Sequence, residues 1–371
     1  MRADVYFVNM RALEKRSLLE KVDDLFERAG FPALIEKGDL VAVKVHFGER
    51  GSTAYLRPIF VRRVVDKIKT CGGKPFLEDT STLYTGSRWN AVDHLQTAIE
   101  NGFTYEVVGA PLVIADGLTG KDYVSVSIDG KHFKEVKIGS AACHADSLIA
   151  LSHFKGHEMT GFGGTLKNLG MGLGCRSAKQ MMHSDVLPVV DEKVCVGCGK
   201  CLKWCPAGAI SLLGSGEAKK ARIDSEKCWG CGECTVTCPH SAIAISWKAE
   251  PENLQEKIVE HVLGALKEKR GKVGFMNFLM DVSPDCDCWE WSDAPIVADV
   301  GILASLDPVA IDQAGVDLIN RSQGIKGTKL GEPGSRDKFR SLYPAVDWSI
   351  QLRYGEELGL GTRKYNLIEI G

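Results

Sequence analysis

Two cysteine runs of identical spacing set the strongest limit on how this chain can fold. Each run has the form Cys-x2-Cys-x2-Cys-x3-Cys-Pro, and the second run begins 33 residues after the first. The cysteines are Cys195, Cys198, Cys201 and Cys205 in the first run, and Cys228, Cys231, Cys234 and Cys238 in the second. Three thiolates on one tight loop can reach three irons of a cubane, and a fourth must come from elsewhere. Paired Cys-x2-Cys motifs also bind zinc, but four cysteines per run with a following proline favour two [4Fe-4S] clusters.

This repeat resembles the bacterial two-[4Fe-4S] ferredoxins over a stretch of about 50 residues. The resemblance implies that the fourth ligand of each cluster comes from the other run. One cluster is then expected on Cys195, Cys198, Cys201 and Cys238, and the other on Cys228, Cys231, Cys234 and Cys205. Glycines at 197, 199, 230 and 232 suit the tight turns and free amides around such clusters. One-electron transfer is the function that this resemblance implies.

The chain is much longer than such a module needs, so the cysteine repeat explains only part of it. Its 371 residues are 44% hydrophobic and 25% charged, which is an ordinary globular composition. A formal charge of -2 gives no general attraction to nucleic acid or to an anionic membrane. Because the sequence shows neither a leader-like start nor a long apolar run, we expect a soluble cytoplasmic protein whose cysteines are reduced.

Alternating short apolar runs and amphipathic stretches on both sides of the repeat predict an α/β fold. Strands are predicted at 5–8, 40–47, 75–79, 112–115, 123–128, 147–153, 272–279 and 296–304, and helices at 12–29, 58–71, 251–270 and from Asp307 onward. The tail from Gly324 gives no clear pattern. We therefore predict a three-layer α/β domain made of residues 1–189 and 249–371, interrupted by a small α+β ferredoxin-like two-cluster module at 190–248.

The segment 153–175, which follows a predicted strand, contains many glycines together with histidines and lysines. We expect it to be too glycine-rich for a stable helix. Its amides at 161–164 and Lys167 could bind an anionic group, or the glycines could simply form tight turns. His153, His157 and His183 are possible metal ligands, and His157 or Glu158 could act as an acid or base.

Five segments, namely 44–48, 152–157, 161–172, 286–289 and 305–312, resemble those of the iron–sulfur centre proteins that contain domain of unknown function 362. The resemblance extends over nearly the whole chain and implies no particular reaction. It does imply a shared pocket formed by the residues that match the recurring motifs. These are Lys44, His153, Lys155, His157, Lys167, Asn168, Asp307 and Asp312.

Three of the remaining cysteines suggest a further site. Cys286 and Cys288 are too close in sequence for an easy disulfide but can offer two thiolates to one metal, with Cys175 as a possible third ligand. A thiol redox pair facing the electron chain is an alternative, as are three buried cysteines without a special task. Cys71 and Cys143 are expected to be structural.

The preferred function is a reductase that passes electrons through two clusters to a substrate or a third metal centre in the α/β pocket. Lys44, Lys155 and Lys167 would orient an anionic small molecule, and a histidine would supply protons. The alternative is an electron carrier or adaptor that docks a redox partner protein. Residues 190–248 contain eight Lys and Arg against six Asp and Glu, which would suit an acidic partner. A structural or sensory role for the clusters is a third, less favoured possibility.

Overall fold

The computed structural model describes residues 2–14, 16–267, 269, 271–331 and 334–371. Its strands are β1 Ala3–Asn9, β2 Leu40–Val45, β3 Lys74–Asp79, β4 Leu112–Ile114, β5 Tyr123–Ser127, β6 Glu135–Gly139, β7 Ser147–His153, β8 Lys155–His157, β9 Gly161–Gly163, β10 Ile210–Leu213, β11 Lys220–Ile223, β12 Val273–Leu279, β13 Gly301–Ser305 and β14 Tyr365–Glu369.

The helices comprise α1 Leu18–Arg28, α2 Pro58–Thr70, α3 Ala91–Glu100, α4 Tyr105–Val108, α5 Ser140–His144, α6 Thr165–Leu173, α7 Arg176–His183, α8 Lys200–Lys203, α9 Glu233–Thr237, α10 Pro251–Lys267, α11 Pro308–Arg321, α12 Lys338–Leu342 and α13 Ser349–Glu357. Short 3-10 turns occur at Phe31–Leu34 and Gly216–Ala218. None of the helices in these ranges is both long enough and apolar enough to cross a membrane.

Eight strands form one central sheet in the order β14-β1-β13-β12-β7-β2-β3-β4. Only β13 runs antiparallel to its neighbours, β1 and β12, and every other pair in this sheet is parallel. The predicted mixed α/β fold with a parallel-rich sheet is therefore confirmed. Strands β7 and β12 are buried along their whole length, which explains why their sequences are mostly apolar rather than alternating between apolar and polar residues.

Helices cover both faces of this sheet. Along β2 and β7 successive side chains point to opposite sides, so Val43 and Ile149 pack with α1 and α2, whereas Ala42 and Ala150 pack with α6, α10 and α11. Each face therefore has its own apolar core, and the sheet forms the middle of three layers.

Residues 190–248 form a separate small unit of one hairpin, β10–β11, and two short helices, α8 and α9. Its core consists of cysteines from both runs together with Ile210, Ala221, Ala242 and Ile243. Strands of the central sheet precede and follow this unit in the chain, as an insertion requires. The proposed boundaries of 1–189, 190–248 and 249–371 stay predictions.

Two predicted helix features differ from the structure. The first helix begins at Leu18 rather than at residue 12, because Ser17 and Glu20 form a capping box that fixes the start. Residues 165–173, predicted to be non-helical, form α6. The carboxylate of Asp312 accepts hydrogen bonds from the Thr165 and Leu166 amides and so caps this helix from a distant part of the chain.

Two strands also differ from prediction. The strand expected at 296–304 forms only from Gly301 to Ser305. The tail, which gave no pattern, supplies α12, α13 and the edge strand β14, which pairs in parallel with β1.

Candidate functional site

Two cavities in residues 190–248 are each lined by four cysteines. Both cavities are partly open to solvent. The first is lined by Cys195, Cys198, Cys201 and Cys238, and the second by Cys205, Cys228, Cys231 and Cys234. The structure thus brings together the two crossed groups of four that the ferredoxin resemblance implies.

Backbone amides point at the cysteine sulfurs of these cavities. The amides of Gly197 and Ala221 donate to Cys195 Sγ over 3.5 and 3.4 Å, and the amide of Ala209 donates to Cys205 Sγ over 3.3 Å. A Cβ on Gly197 would lie 2.3 Å from the Lys219 carbonyl oxygen, so only glycine fits there. Four soft thiolate donors with amides directed at sulfur are the ligand environment that a [4Fe-4S] cluster uses, so the donor set fits that group.

A buried ion pair joins the second cysteine loop to the α/β domain. Glu233, which lies between Cys231 and Cys234 in the chain, accepts hydrogen bonds from Lys137 Nζ over 2.8 Å and from Ser177 Oγ over 2.7 Å. Lys137 Nζ also donates to the Cys231 carbonyl over 3.2 Å. Because both charged side chains are only 3% exposed, this pair fixes the loop against β6, which carries Lys137, and Ser177 holds the loop to α7.

Helix α7 makes further contacts with the end of the small unit. The Gln180 side chain binds the Ser246 backbone twice, through its amide nitrogen over 2.9 Å and its oxygen over 3.0 Å. The ring of His183 meets Trp247 edge to face with centroids 4.9 Å apart. Residues 190–248 are therefore attached to the domain at both the second cysteine loop and their C-terminal end.

A second candidate site lies in the α/β domain where Lys167 of α6 meets the Cys286–Cys288 loop. Lys167 Nζ is 3.2 Å from Cys286 Sγ, and the Cys286 and Cys288 side chains are hydrogen-bonded to each other. This hydrogen bond to Cys288 lowers the pKa of Cys286 to about 6 against the effect of burial, with Lys167 as a further cause. The same hydrogen bond and burial raise the pKa of Cys288 well above its usual value. The pair therefore holds one thiolate, on Cys286, and one thiol.

The ammonium of Lys167 is stabilised by the same pair. Burial disfavours its charge, but Cys286, Cys288 and Asp287 outweigh burial and raise its pKa. The thiolate of Cys286 and the ammonium of Lys167 thus stabilise each other's charged form.

Asp287 is the centre of the polar contacts beneath this loop. Its carboxylate lies 3.1 Å from Lys155 Nζ, 3.4 Å from His153 Nδ1 and 3.5 Å from His46 Nδ1. Burial acts to raise the pKa of Asp287, but His46 and Lys155 outweigh it and hold that pKa well below its usual value. His153, at the end of β7, and Lys155, at the start of β8, are therefore already paired with Asp287 of this loop.

Lys44 and His157 lie near these residues with partners of their own. Lys44 Nζ is 3.1 Å from Asp79 and donates to Asn168 Oδ1 over 2.8 Å. His157 Nδ1 accepts hydrogen bonds from the Met159 and Thr160 amides, both over 3.2 Å. Burial, helped by Lys167, holds the pKa of His157 well below its usual value, so the neutral ring carries its proton on Nε2.

The two aspartates of the predicted pocket are helix caps. Asp307 accepts from the amides of Val309 and Ala310 at the start of α11 and from the Thr362 amide, so it does not join the predicted catalytic group. Asp312 occupies the amides of Thr165 and Leu166 at the start of α6, directly after the amides at 161–164 that were considered for an external anion. Each of Lys44, Lys155 and Lys167 is also paired within the protein, so these charges are balanced before any ligand binds.

Cys175 has different neighbours from the Cys286–Cys288 pair. Its sulfur lies 3.3 Å from Ser177 Oγ, and therefore beside the Glu233 ion pair at the boundary with the small unit. Within the described ranges, no three His, Cys, Asp or Glu side chains lie close enough to hold a single metal ion.

The sequence assigned no individual role to His46, Asp79 or Asp287. His46 and Asp287 lie inside the segments 44–48 and 286–289, so the motifs marked their positions without marking their function. Asp79 ends a buried strand, β3, and a charged residue at the end of an apolar run is the signal that could have found it.

Comparison with known proteins gives a family and two distant structural similarities. Residues 41–317 match the family described as Domain of unknown function (DUF362). The lactate racemase apoprotein from Thermoanaerobacterium thermosaccharolyticum matches with a TM-score of 0.37 and 14% identity over 76% of this chain and 52% of that one. A protein from Thermotoga maritima matches with a TM-score of 0.37 and 10% identity over 76% of this chain and 54% of that one. The chain thus spans about half the length of these two structures. No curated protein sequence matches it.

Proposed function

Because the chain belongs to the DUF362 family, whose model matches well over half of it, we propose from its own residues that it is an iron–sulfur electron-transfer protein acting as a reductase. Residues 190–248 would hold two [4Fe-4S] clusters, and the site around Cys286 and Lys167 would be where the substrate is reduced. When bound, the two clusters would supply single electrons.

The observation that carries this proposal is the crossed sharing of cysteines between the two cavities. Cys205 belongs to the first run but lines the second cavity, and Cys238 belongs to the second run but lines the first cavity. A run that bound its own metal independently would have no reason to exchange its fourth cysteine. The exchange is the arrangement of two-cluster ferredoxins, in which electrons pass between neighbouring clusters.

The connection between the two candidate sites supports a reductase. Helix α7 contacts the second cysteine loop through Ser177, and helix α6, which precedes it directly in the chain, carries Lys167 to Cys286. Two consecutive helices therefore join the cysteine cavities to the thiol site. At that site Lys167 would hold the thiolate, and the neutral His157, protonated at Nε2, would be a hydrogen-bond donor.

One observation favours the alternative function of an electron carrier that docks a partner protein. Trp204, Trp229 and Trp247 of the small unit are all about half exposed, at 48%, 51% and 51%. Exposed aromatic side chains are enriched where proteins bind one another. A carrier would keep its activity in Lys167→Ala and His157→Ala variants, whereas a reductase would lose turnover in both while its cluster spectra stayed intact.

The cluster assignment is tested by purifying the protein without oxygen and measuring iron, acid-labile sulfide and zinc. We expect about eight iron and about eight sulfide per chain, and an EPR signal of reduced, interacting [4Fe-4S] clusters after dithionite treatment. About two zinc ions with no sulfide would instead identify two zinc sites and overturn the proposal.

A further inference from the structure

The Cys286–Cys288 loop carries a chemical group that electron transfer alone does not use. Cys286 Sγ lies 3.2 Å from Lys167 Nζ and 3.5 Å from Asp287 Oδ1, and Cys288 follows two residues later on the same loop. We propose that Cys286 and Cys288 form a redox-active dithiol that reduces a disulfide substrate. For its supply of electrons this inference rests on the proposed function above.

The loop is held so that the two sulfurs stay together. The Glu49 amide donates to the Asp287 carbonyl over 3.1 Å, and the Tyr84 hydroxyl donates to the Cys288 carbonyl over 2.7 Å. On the other side of the chain, Lys155 and His153 bind the Asp287 side chain. Backbone and side-chain contacts on both sides of the pair thus preorganise it, which a reactive pair of cysteines requires.

The charges around the pair favour a reactive thiolate. A thiolate, and not a thiol, attacks disulfides, and a neighbouring lysine is a common means of stabilising it. Asp287 could oppose the thiolate by its own charge, but that carboxylate is already paired with Lys155 at 3.1 Å. Lys167 is therefore left to act on Cys286.

The pair is reachable from solvent through Cys288. Cys286 is only 2% exposed, whereas Cys288 is half-buried. The next residues include Trp289 and Trp291, which stack with ring centroids 6.3 Å apart and are 44% and 49% exposed. The loop thus runs from a buried sulfur to the surface within a few residues, and Cys288 lies on its more exposed side.

The proposed reaction conserves atoms and charge. The thiolate of the pair attacks one sulfur of the substrate disulfide R–S–S–R, and the other sulfur leaves as RS⁻. The remaining thiol of the pair then closes the Cys286–Cys288 disulfide, and its proton and the second substrate sulfur leave as RSH. Two electrons and one proton would restore the thiolate and the thiol, and the iron–sulfur clusters, when bound, would supply these electrons singly.

Cys286 and Cys288 are separated by one residue. This short spacing disfavours a stable disulfide but suits a disulfide that forms and is reduced in every turnover. A disulfide between cysteines separated by one residue closes a small, strained ring, and strained disulfides are more easily reduced. Ease of reduction is what a disulfide needs if it is opened in every turnover. The spacing thus argues against a structural bridge and is compatible with a catalytic one.

The dithiol is tested by mass spectrometry on the wild-type protein, so no variant needs to fold. The anaerobic protein is treated with glutathione disulfide or, in a second arm, with an oxidised thioredoxin-type protein, and is then alkylated and digested. We expect the peptide containing both cysteines to lose two hydrogens and to resist alkylation, while Cys71 is alkylated as before. Closure only with glutathione disulfide identifies a small substrate, and closure only with the protein identifies a protein disulfide.

Three results would overturn the inference. These are a pair that stays fully alkylatable in both arms, a separate glutathione adduct on each cysteine, or one tightly bound metal ion per pair that blocks oxidation.

Electron supply is tested separately. After the pair has been closed and the clusters photoreduced, two cluster electrons should disappear for each pair of thiols recovered, and a Cys286→Ser/Cys288→Ser variant should keep its clusters reduced. If no clusters are found but the pair still closes and is opened by dithiothreitol, the proposed function fails and the dithiol stands. If clusters are present and the pair never closes, the dithiol fails alone.

Discussion

At the scale of single residues, the contact between Lys167 and Cys286 is a balance of two large terms. Two unit charges 3.2 Å apart attract by roughly 5 kcal/mol at an effective dielectric constant of about 20, whereas removing each ion from water costs several kcal/mol. Because the attraction between the two charges and the cost of removing them from water are similar in size, neither side chain is stably charged here without the other. Removing one partner should therefore change the protonation of the remaining one.

We expect Lys167→Met to shift the reactivity of Cys286 to higher pH. In the wild type a pKa of about 6 means that Cys286 is mainly thiolate above pH 7 and loses reactivity as the pH falls through 6. Loss of the neighbouring positive charge disfavours the thiolate, so the pKa should rise by about 1–3 units. The measurement is the rate of iodoacetamide labelling of Cys286 from pH 5 to pH 9.

The matched control is Lys134→Met, because Lys134 is also paired with a carboxylate but is 78% exposed. Its labelling curve should coincide with that of the wild type. A Lys167→Met curve that coincides with both would show that Lys167 does not stabilise the thiolate.

At the scale of elements, helix α6 shows how glycine can favour a helix through packing. A Cβ on Gly170 would lie 2.2 Å from the Ile258 carbonyl oxygen of α10, and a Cβ on Gly172 would lie 2.7 Å from Lys44 Nζ. The glycines therefore let α6 approach both its neighbouring helix and a buried charge. The intrinsic cost of glycine in a helix, about 1 kcal/mol each, is offset by this packing and by the Asp312 cap.

We expect Gly170→Ala to destabilise the protein although alanine is the better helix former. The added methyl group would meet a backbone oxygen, which cannot rotate away, so α6 and α10 must separate. Overpacking of this kind typically costs about 1–3 kcal/mol in the free energy of unfolding, more than the helix propensity returns. Urea unfolding followed by circular dichroism measures this difference.

Gly334→Ala is the control for this change, because no atom of the residues that the structure describes lies within 4 Å of a Cβ at that position. It should unfold at the wild-type urea concentration or slightly above it. Equal stability of Gly170→Ala and Gly334→Ala would mean that α6 and α10 are not in close contact.

The same helix explains what the sequence could and could not predict about the fold. The buried parallel strands were predictable because burial on both faces leaves a continuous apolar run. Helix α6 was not, because its cap, Asp312, and its packing partner, Ile258, are remote in the chain and local propensity opposes it. The start of α1 was predictable in principle, since Ser17 and Glu20 have the spacing of a capping box.

The residues of the candidate sites also differ in whether the sequence can predict their contacts. The cysteine loops are local, so their spacing predicts that three sulfurs of each run approach a common centre, and the ferredoxin resemblance implies the fourth. The contact of Lys167 with Cys286 spans 119 residues, and that of His153 with Asp287 spans 134. Family motifs mark such residues individually, but only the fold determines that Lys167 faces a thiol and that Asp307 caps a helix.

At the scale of the whole molecule, the small unit and the α/β domain share buried charges. Glu233 and Lys137 come from opposite sides of the boundary and are each 3% exposed. Breaking a buried pair by removing one partner typically costs about 3–5 kcal/mol, whereas exposed pairs contribute little. Such a boundary holds the second cysteine loop at a fixed position against β6, which carries Lys137.

The crossed arrangement of cysteines also predicts how substitutions combine. If Cys198 and Cys238 hold the same cluster, either alanine variant loses that cluster, and the double variant loses nothing more. Iron should fall from about eight to about four per chain in all three proteins. If Cys198 and Cys205 hold different clusters, the Cys198→Ala/Cys205→Ala variant should lose nearly all its iron, although both cysteines belong to one run.

Uncrossed ligation predicts the reverse pattern. In that case Cys198→Ala/Cys205→Ala would keep about four irons, and Cys198→Ala/Cys238→Ala would lose both clusters. A Cys71→Ala control, which removes a half-buried cysteine at the end of α2, should keep about eight irons in either case. Iron analysis and EPR of the two double variants therefore distinguish the two arrangements, because each predicts four remaining irons in the protein where the other predicts almost none.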